Sequence, residues 1–393
     1  MAVELAKRHG YAQRMRTIAP FYVMDILARA QALEAEGREV IHMEVGEADF
    51  PTPSAIVAAG QEALASGFTR YTPAAGMWEL RAAIAHDYQE RHGVQLAPER
   101  ILVTPGASGA LQLSLAVLVD PGDTVLLTDP GYPCNRHLVR LFEGQPIAVP
   151  VGADTGFQLA CEHVARYATA KTVAVMVASP ANPTGTVVDR DELRDVLERV
   201  RALGAWLIVD ETYQRLIYEG CEATALELTD DVFIVNSFSK TFGMTGWRLG
   251  WLVAPAQFVP QVEILAQNLF LAPSTIAQHA ALAAFQPEIA TILETRRQKL
   301  KARRDFLSPE LRAIGFEIAG QPAGAFYLYA NCRRFAEDSF AFTHEALERT
   351  GIAFTPGCDF GSYGAREHVR FSYTTGMDAL HDAVSRLRSY LLR

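Results

Sequence analysis

The chain has very little lysine. Five lysines occur among its 393 residues, at positions 7, 171, 240, 299 and 301, although arginine is abundant. Four of them have ordinary surface surroundings, whereas Lys240 lies among small and aromatic residues in the segment NSFSKTFGMTGWR, which begins at Asn236 and follows the apolar run 232–235. A lysine with few charged neighbours can lose its proton and attack a carbonyl, as a Schiff-base lysine must. The alternative is a lysine that merely covers a loop.

Cysteine is also sparse, and several kinds of motif are missing. Cys134, Cys161, Cys221, Cys332 and Cys358 are far apart, odd in number and without C-x-x-C spacing. This pattern favours reduced thiols in a cytoplasmic protein over a disulfide framework. The ten histidines form no H-E-x-x-H motif or ligand-like cluster, so no metal is expected. No stretch has the length and apolar purity of a membrane span, so no membrane partner is expected.

The chain has fewer basic than acidic residues. The 36 lysines and arginines against 45 acidic residues give a formal charge of -9, which argues against a nucleic-acid partner. One basic run, 296–304, is expected to form the solvated face of a helix. At this length, with 49% hydrophobic residues, the chain can bury a large core and form more than one domain.

Short apolar runs alternate with helical patterns through most of the chain. Such alternation is typical of strands buried on both faces by crossover helices, and predicts an α/β fold with a doubly wound, mostly parallel sheet. The strand candidates are 100–103, 124–127, 173–177, 205–209, 232–235 and 249–253.

Beyond about residue 280 a long charged helix and mixed short elements predict a smaller α+β domain, which also recruits a helix near residues 24–36. The expected division is an N-terminal arm and helix at 1–45, a large domain at 46–285 and a small domain at 286–393.

Polar motifs follow the predicted strands, where ligands bind in open α/β sheets. Asp210 ends the run 205–209 and is followed by Glu-Thr-Tyr. It is interpreted as the acceptor that keeps a pyridine nitrogen protonated, or else as a helix N-cap. Asn182 lies within the turn SPANPTG at 179–185, where it can hold a phenolic oxygen or a carboxylate, or simply form part of a turn.

The segment PGASGA at 105–110 joins a predicted strand to a helix start, where backbone N–H groups can approach an anion. It has neither the G-x-G-x-x-G nor the Walker spacing, which disfavours dinucleotide and nucleoside triphosphate sites. Its faint similarity to a nucleophile elbow leaves a serine hydrolase built on Ser108 as one alternative, but that reading explains none of the other motifs.

Taken together, these segments resemble the fold type I pyridoxal-phosphate enzymes, and specifically the class I aminotransferases of the aspartate aminotransferase type. The resemblance covers nearly the whole chain. Its specific parts are VGEADFPTP from Val45, YTPAAG from Tyr71, SPANPTG, VDETY from Val209, SFSKTFGMTGWRLG from Ser237 and VRFSY from Val369.

The resemblance implies how a pyridoxal 5'-phosphate cofactor would be held. Lys240 would carry it as a Schiff base and later move a proton. Asp210 would pair with the ring nitrogen, Asn182 and Tyr213 would hydrogen-bond the phenolic oxygen, and Tyr132 would stack on the ring.

For the cofactor phosphate, the resemblance implies a cradle of Ala107 and Ser108 at the helix start, together with Ser237 and Arg248. It also implies that Tyr71 reaches this phosphate from a second subunit, so a homodimer with shared sites is expected.

For the substrate, the resemblance implies that Arg370 grips the α-carboxylate in a bidentate fork, with Gly46 lining the same pocket. The chain departs from dicarboxylate-specific relatives after Pro20, where Phe21 and Tyr22 stand in place of small polar residues. If Phe21 and Tyr22 face the ligand, both favour alanine, methionine, branched or aromatic substrates over aspartate. The alternative is that both pack as core staples for the following helix.

The implied activity is transamination from an L-amino acid to a 2-oxo acid, in two ping-pong half-reactions. A β-lyase of the cysteine-S-conjugate type on the same fold would keep the same main residues. A cofactor-sensing regulatory domain is a further alternative from another class. It needs an attached DNA-binding domain, and the first 40 residues are short for one and lack its helix-turn-helix pattern.

Overall fold

The computed structural model describes residues 11–220, 222–319 and 322–392, so Lys7, Cys221 and the start of the expected N-terminal arm lie outside the described residues. No helix in these ranges is long and apolar enough to cross a membrane. The strands are β1 (Ile41–His42), β2 (Ile101–Thr104), β3 (Thr124–Asp129), β4 (Gln145–Pro150), β5 (Thr172–Ala178), β6 (Trp206–Asp210), β7 (Phe233–Ser237), β8 (Gly250–Val253), β9 (Tyr327–Asn331), β10 (Ile352–Ala353), β11 (Thr355–Pro356) and β12 (His368–Ser372).

The α-helices of the described ranges lie between these strands and at both ends of the chain. They are α1 (Tyr22–Ala35), α2 (Ser54–Ala65), α3 (Trp78–His92), α4 (Gly106–Leu118), α5 (Pro133–Leu141), α6 (Cys161–Tyr167), α7 (Arg190–Ala202), α8 (Val259–Leu269), α9 (Thr275–Leu282), α10 (Pro287–Ile314), α11 (Ser339–Thr350) and α12 (Met377–Leu391).

A seven-stranded sheet forms the centre of the molecule, with strand order β2-β8-β7-β6-β5-β3-β4. The pairs among β3 to β7 are parallel, whereas β8 runs antiparallel to both β2 and β7. The predicted doubly wound, mostly parallel sheet is therefore confirmed. Strand β4 was not predicted, because it lies at the sheet edge and is largely exposed or half-buried, so it lacks a continuous apolar run.

Both faces of this sheet are covered, which explains why its strands are apolar at successive positions. Along β5, Val175 and Val177 belong to one hydrophobic cluster and Met176 to another. Helix α7 shows the matching pattern on the helix side. Its side chains at 193, 196, 197 and 200 are buried in one stripe, and the side chain of Asp189 caps its first turn by accepting from two backbone N–H groups.

The C-terminal part forms a separate three-stranded antiparallel sheet, β11-β12-β9, against which α10, α11 and α12 pack. The N-terminal segment joins it, as predicted. Strand β1 pairs in parallel with β10, with Ile41 opposite Ile352. From α1, Ile26 and Ala30 pack against Leu347 of α11. The two ends of the chain thus share one core.

The basic run 296–304 is not the uniformly solvated helix face that the sequence predicted. Arg303 and Arg304 are buried, at 7% and 1% exposure. Arg303 donates to both carboxylate oxygens of Asp49 at 2.8 Å, and Arg304 pairs with Glu219. The prediction was wrong for these two residues because their partners, far away in sequence, compensate the buried charge.

The first turn of α4 is held against β8 at a position where only glycine fits. A Cβ on Gly250 would lie 2.7 Å from the carbonyl carbon of Gly106 and 2.8 Å from the backbone nitrogen of Ala107. The close approach of strand and helix start therefore depends on the missing side chain.

Replacing Gly250 with alanine is expected to destabilise the protein by about 1–3 kcal/mol, because the added methyl group must push α4 away from the sheet. Thermal unfolding measures this loss. Gly246→Ala is the matched control, since a Cβ there meets no atom within 4 Å, and it should change stability by less than about 0.5 kcal/mol. Equal melting temperatures for the two variants would contradict the packing described above.

Candidate active site

A cavity of about 380 Å³ lies where β5, β6 and β7 end, between the central sheet and the C-terminal part of the chain. The strand ends contribute Ala178, Asp210 and Ser237 to its lining, and β12 contributes Arg370. It also contains Gly46, Ala107, Ser108, Tyr132, Asn182, Tyr213, Lys240 and Arg248. The fold therefore brings together all the site residues predicted from the sequence except Tyr22 and Tyr71.

Lys240 follows β7 and extends into this cavity. Its Nζ donates a hydrogen bond to the backbone oxygen of Gly46 at 2.7 Å. Burial lowers the pKa of Lys240 to about 8, and the positive charges of Arg370 and Arg248 act in the same direction, against the attraction of Glu47. At pH 7 about a tenth of this amine is therefore unprotonated and nucleophilic, far more than for an ordinary lysine.

Asp210 ends β6, and its half-buried side chain lines the cavity. Burial raises its pKa, whereas the Thr212 N–H, at 3.0 Å from Oδ1, and the charge of Lys240 lower it. A half-buried carboxylate with a single backbone donor is well suited to receive a positively charged group.

Tyr213 and Tyr327 form a hydrogen-bonded pair, with their hydroxyl oxygens 2.8 Å apart. Burial raises the pKa of Tyr213 well above its ordinary value, so its hydroxyl keeps its proton and remains a donor. Tyr327, on β9, was not predicted from the sequence. A Cβ on Gly46 would lie 2.0 Å from the hydroxyl oxygen of Tyr327. Only glycine therefore fits at position 46 beside this tyrosine.

One end of the cavity is suited to an anion. Ala107 and Ser108 lie in the first turn of α4, where free backbone N–H groups and the helix dipole attract negative charge. Arg248 lies beside this turn, and a Cβ on Gly106 would come within 2.7 Å of its Nη2. Arg248 has a φ of 54°, an uncommon backbone conformation for a non-glycine residue.

Among the cations of the cavity, Arg370 is held by the largest set of contacts. Its guanidinium carbon lies 4.3 Å from the ring centre of Tyr327 and 4.7 Å from that of Phe360. It donates to Asn182 Oδ1 at 2.9 Å, to Thr355 Oγ1 at 3.2 Å and to the backbone oxygen of Glu44. Its Nε is buried and has no hydrogen-bond partner in the part of the chain that the structure describes.

Asn182 and Tyr132 form the wall next to this arginine. Because Asn182 Oδ1 accepts from Arg370, its Nδ2 is the donor that faces other acceptors in the cavity. Tyr132 precedes α5, as its N-cap residue, and its ring also lines the cavity.

Tyr22 is a correction to the sequence analysis. Its ring packs edge-on against Phe340, with centroids 5.3 Å apart, whereas its neighbour Phe21 lines the cavity. The reason is helical geometry: Tyr22 begins α1, and the residues of α1 that reach the cavity are Val23, Met24 and Leu27. Tyr71 is 82% exposed and does not line the cavity of its own chain.

Asp359 is another residue of the cavity lining that the sequence did not indicate. Its carboxylate accepts from the backbone N–H of Tyr22 at 3.0 Å and of Val23 at 3.4 Å, so it caps α1 from a loop far along the chain. No local motif identified it, because its partners are backbone groups more than 300 residues away.

Three parts of the cavity carry distinct chemistry. Arg248 and the start of α4 offer positive charge and N–H donors, Asp210 offers a carboxylate, and Lys240 offers an amine. A phosphorylated aromatic aldehyde with a basic ring nitrogen has all three complementary groups. At about 380 Å³ the cavity is large enough to hold such a molecule.

Comparison with known proteins agrees with this chemistry. The family model described as aminotransferase class I and II matches residues 38–387. The valine–pyruvate aminotransferase of Mycobacterium tuberculosis is 36% identical over 95% of this chain and 97% of its own. A probable aspartate/prephenate aminotransferase of Thermus aquaticus is also 36% identical, over 97% of this chain and 99% of its own. A crystal structure of an aminotransferase from Mycobacterium tuberculosis superposes with a TM-score of 0.94 at 35% identity, covering 98% and 99% of the two chains.

The low pKa of Lys240 predicts its chemical reactivity in the cofactor-free protein. Its rate of acetylation by acetic anhydride should rise through a midpoint near pH 8, because only the unprotonated amine reacts. Mass spectrometry of the labelled peptides measures this rate. Lys301 is the internal control: its hydrogen bond to Asp305 raises its pKa, so its labelling should continue to rise at much higher pH. The same profile for both lysines would contradict the prediction.

Proposed function

Because this chain belongs to the class I and II aminotransferase family, whose members transfer amino groups with pyridoxal phosphate, we propose that its donor is an L-amino acid with an apolar side chain. The acceptor is a 2-oxo acid, Lys240 is the Schiff-base lysine, and the two half-reactions follow a ping-pong order. The observation that carries this proposal is the convergence of Lys240, Asp210 and Arg370 on one cavity.

In this proposal different residues of the cavity bind different parts of the cofactor. Ala107, Ser108, Ser237 and Arg248 would hold the phosphate, and Asp210 would keep the ring nitrogen protonated. The Tyr213 hydroxyl and Asn182 Nδ2 would donate to the phenolic oxygen, and Tyr132 would pack on the ring. The bound cofactor supplies an electron sink that stabilises the negative charge left on the substrate Cα when its proton leaves.

Lys240 then does the proton transfer. Its Nζ would accept the proton from the substrate Cα and later return it. In the cofactor-free protein, burial and the two nearby arginines lower the pKa of Lys240 to about 8, which favours the unprotonated amine that can accept a proton. The carbonyl of Gly46, 2.7 Å from Nζ, keeps the amine on the side of the cavity from which it acts.

Arg370 binds the α-carboxylate of the substrate. Its contacts with Asn182, Thr355 and Glu44 fix the plane of the guanidinium before any substrate arrives, so little conformational freedom is lost on binding. A carboxylate bound in this fork also provides an acceptor close to the unpartnered Nε.

The preference for apolar donors follows from the lining residues that bind neither the cofactor nor the α-carboxylate in this proposal. Its basic residues are Lys240, Arg248 and Arg370, and each of these already has a partner in the proposed complex. Phe21, Val23, Met24 and Leu27, from α1 and the residue before it, form an apolar part of the lining, and the acidic residues Glu44, Glu47 and Asp359 also line the cavity. A second substrate carboxylate would be buried there without a cation, at a cost of several kcal/mol.

We also propose that the chain divides into the arm and helix at 1–45, a large domain at 46–285 and a small domain at 286–393. The separate hydrophobic clusters of the central sheet and of the C-terminal part support this division. The cavity would then lie between two domains that both contribute to it.

The donor class can be tested on the purified protein loaded with pyridoxal phosphate. Valine, alanine, methionine and phenylalanine should shift the visible absorption of the cofactor and release the matching 2-oxo acid. Aspartate and glutamate should have a kcat/KM lower by about 100-fold or more, since each buried unpaired carboxylate costs several kcal/mol.

The outcomes of this titration separate the alternatives. Efficient reaction with aspartate would overturn the apolar preference. Release of pyruvate and ammonia from β-substituted amino acids, without conversion of the cofactor, would favour a β-lyase. A cofactor that binds but responds to no amino acid would favour a ligand-sensing domain. If the protein acts as a transaminase or a β-lyase, Lys240→Ala should abolish turnover while leaving the phosphate cradle intact.

The same family membership leads us to propose a homodimer in which Tyr71 completes the partner subunit's phosphate cradle. Tyr71, Phe68 and Leu271 are exposed apolar residues on neighbouring segments, joined by a hydrogen bond from Thr275 to the backbone oxygen of Arg70. Exposed apolar groups clustered in this way favour burial against a second surface.

Sedimentation equilibrium should therefore give twice the mass of one chain. Tyr71→Phe should leave the dimer intact but weaken pyridoxal phosphate binding by about tenfold, the effect of losing one hydrogen bond to a charged group. Tyr363→Phe, at another exposed tyrosine, is the matched control and should change neither property. A monomer, or unchanged cofactor affinity in Tyr71→Phe, would contradict the shared site.

A further inference from the structure

A second cavity, of about 300 Å³, adjoins the first one. Tyr132, Asn182 and Phe360 line both cavities and form the boundary between them. None of the roles proposed above uses the second cavity. Its most distinctive side chains are Arg136 and Arg140, one turn apart on α5, and we call it the arginine cavity.

Neither arginine of this cavity forms an ion pair with a described carboxylate. Arg136 Nη2 donates to the backbone oxygen of Asp359 at 2.7 Å, and Arg140 Nη1 donates to the backbone oxygen of Thr17 at 2.7 Å. These carbonyls are neutral acceptors, and each guanidinium has further N–H groups to offer. Burial lowers the pKa of Arg136, as expected for a cation held away from water without a direct counter-ion.

The acidic groups nearest to Arg136 are already satisfied by other donors. Asp129, which also lines the cavity, accepts from the backbone N–H and the hydroxyl of Ser362 and from the N–H of Tyr363. Asp359 accepts from the first two N–H groups of α1. Both carboxylates are therefore held in hydrogen bonds that orient them away from an ion pair with Arg136, although their charges still reach it.

Unpartnered polar atoms lie beside the two arginines. Asn135 Oδ1 and His137 Nδ1 are buried and have no hydrogen-bond partner among the described residues, and both residues line the cavity. Burial and the neighbouring charges of Arg136 and Arg140 lower the pKa of His137, which leaves its ring neutral at pH 7 with one N–H to donate. Two guanidinium groups and a neutral imidazole together make a donor set for a small oxyanion.

We propose that the arginine cavity is a second, non-catalytic anion site that binds a small carboxylate of the amino acid or 2-oxo acid class. Its ligand would bind beyond the wall of Tyr132 and Asn182, next to the α-carboxylate site at Arg370. A volume of about 300 Å³ accommodates a molecule of this size. The proposal stands on this cavity alone and does not depend on the donor class proposed above.

The test is calorimetric titration of pyruvate into the pyridoxal-phosphate-loaded enzyme. The parent protein should show two binding events, one at each cavity. Arg370→Gln should lose the event at the catalytic cavity and keep the other, while the double variant Arg136→Gln/Arg140→Gln should lose or weaken the second event by about tenfold or more. Arg333→Gln, at an arginine whose side chain is 75% exposed, is the matched control and should keep both.

Inorganic phosphate as a second probe separates the possible ligands. Phosphate binding that disappears in the double variant would identify a general oxyanion site, whereas pyruvate binding alone would identify a carboxylate site. A single pyruvate event that Arg370→Gln abolishes, or two events unchanged in the double variant, would overturn the proposal. If the double variant melts early or loses its cofactor absorption, the single variant Arg140→Gln provides the same comparison.

Discussion

The buried positive charge of Arg370 is the constraint on which the rest of the site depends. Its side chain is only 5% exposed, so the protein must supply the solvation that water would otherwise provide. It does so with the aromatic faces of Tyr327 and Phe360 and with acceptors on three further segments of the chain. The segments that supply these contacts all meet at one guanidinium, and together they form this side of the cavity.

The same crowding of cations sets the chemistry of the lysine. Arg370 and Arg248 lie near enough to Lys240 to disfavour its protonated form, while burial removes the water that would stabilise it. The two arginines to which we assign the phosphate and the substrate carboxylate thus also favour the unprotonated form of this amine. Binding of either anion offsets one of these positive charges, so the acidity of Lys240 depends on what the cavity holds.

Much of the central sheet could be predicted from the sequence, because strands buried on both faces are continuous apolar runs and their ends carry the polar motifs. For this reason local patterns could predict that Asp210, Asn182 and Lys240 lie together in one cavity. Edge strand β4 was missed because only one of its six residues is fully buried, so it has no continuous apolar run. Tyr327 and Asp359 were missed because their roles come from partners across the chain, such as the Tyr213 hydroxyl and the first turn of α1. Side-chain direction also escaped prediction, as Tyr22 illustrates: one step along a helix turns a ring away from the cavity.

The pairing of the two chain ends has a consequence for biosynthesis. Strand β1 needs β10, α1 needs the carboxylate of Asp359, and the carbonyl of Glu44 faces Arg370. During translation the N-terminal segment leaves the ribosome first, yet it finds its partners only after almost the whole chain has been made. Contacts of such long sequence separation form late. The catalytic cavity is therefore completed at the end of folding, so a nascent chain can build its central sheet well before it can bind a substrate.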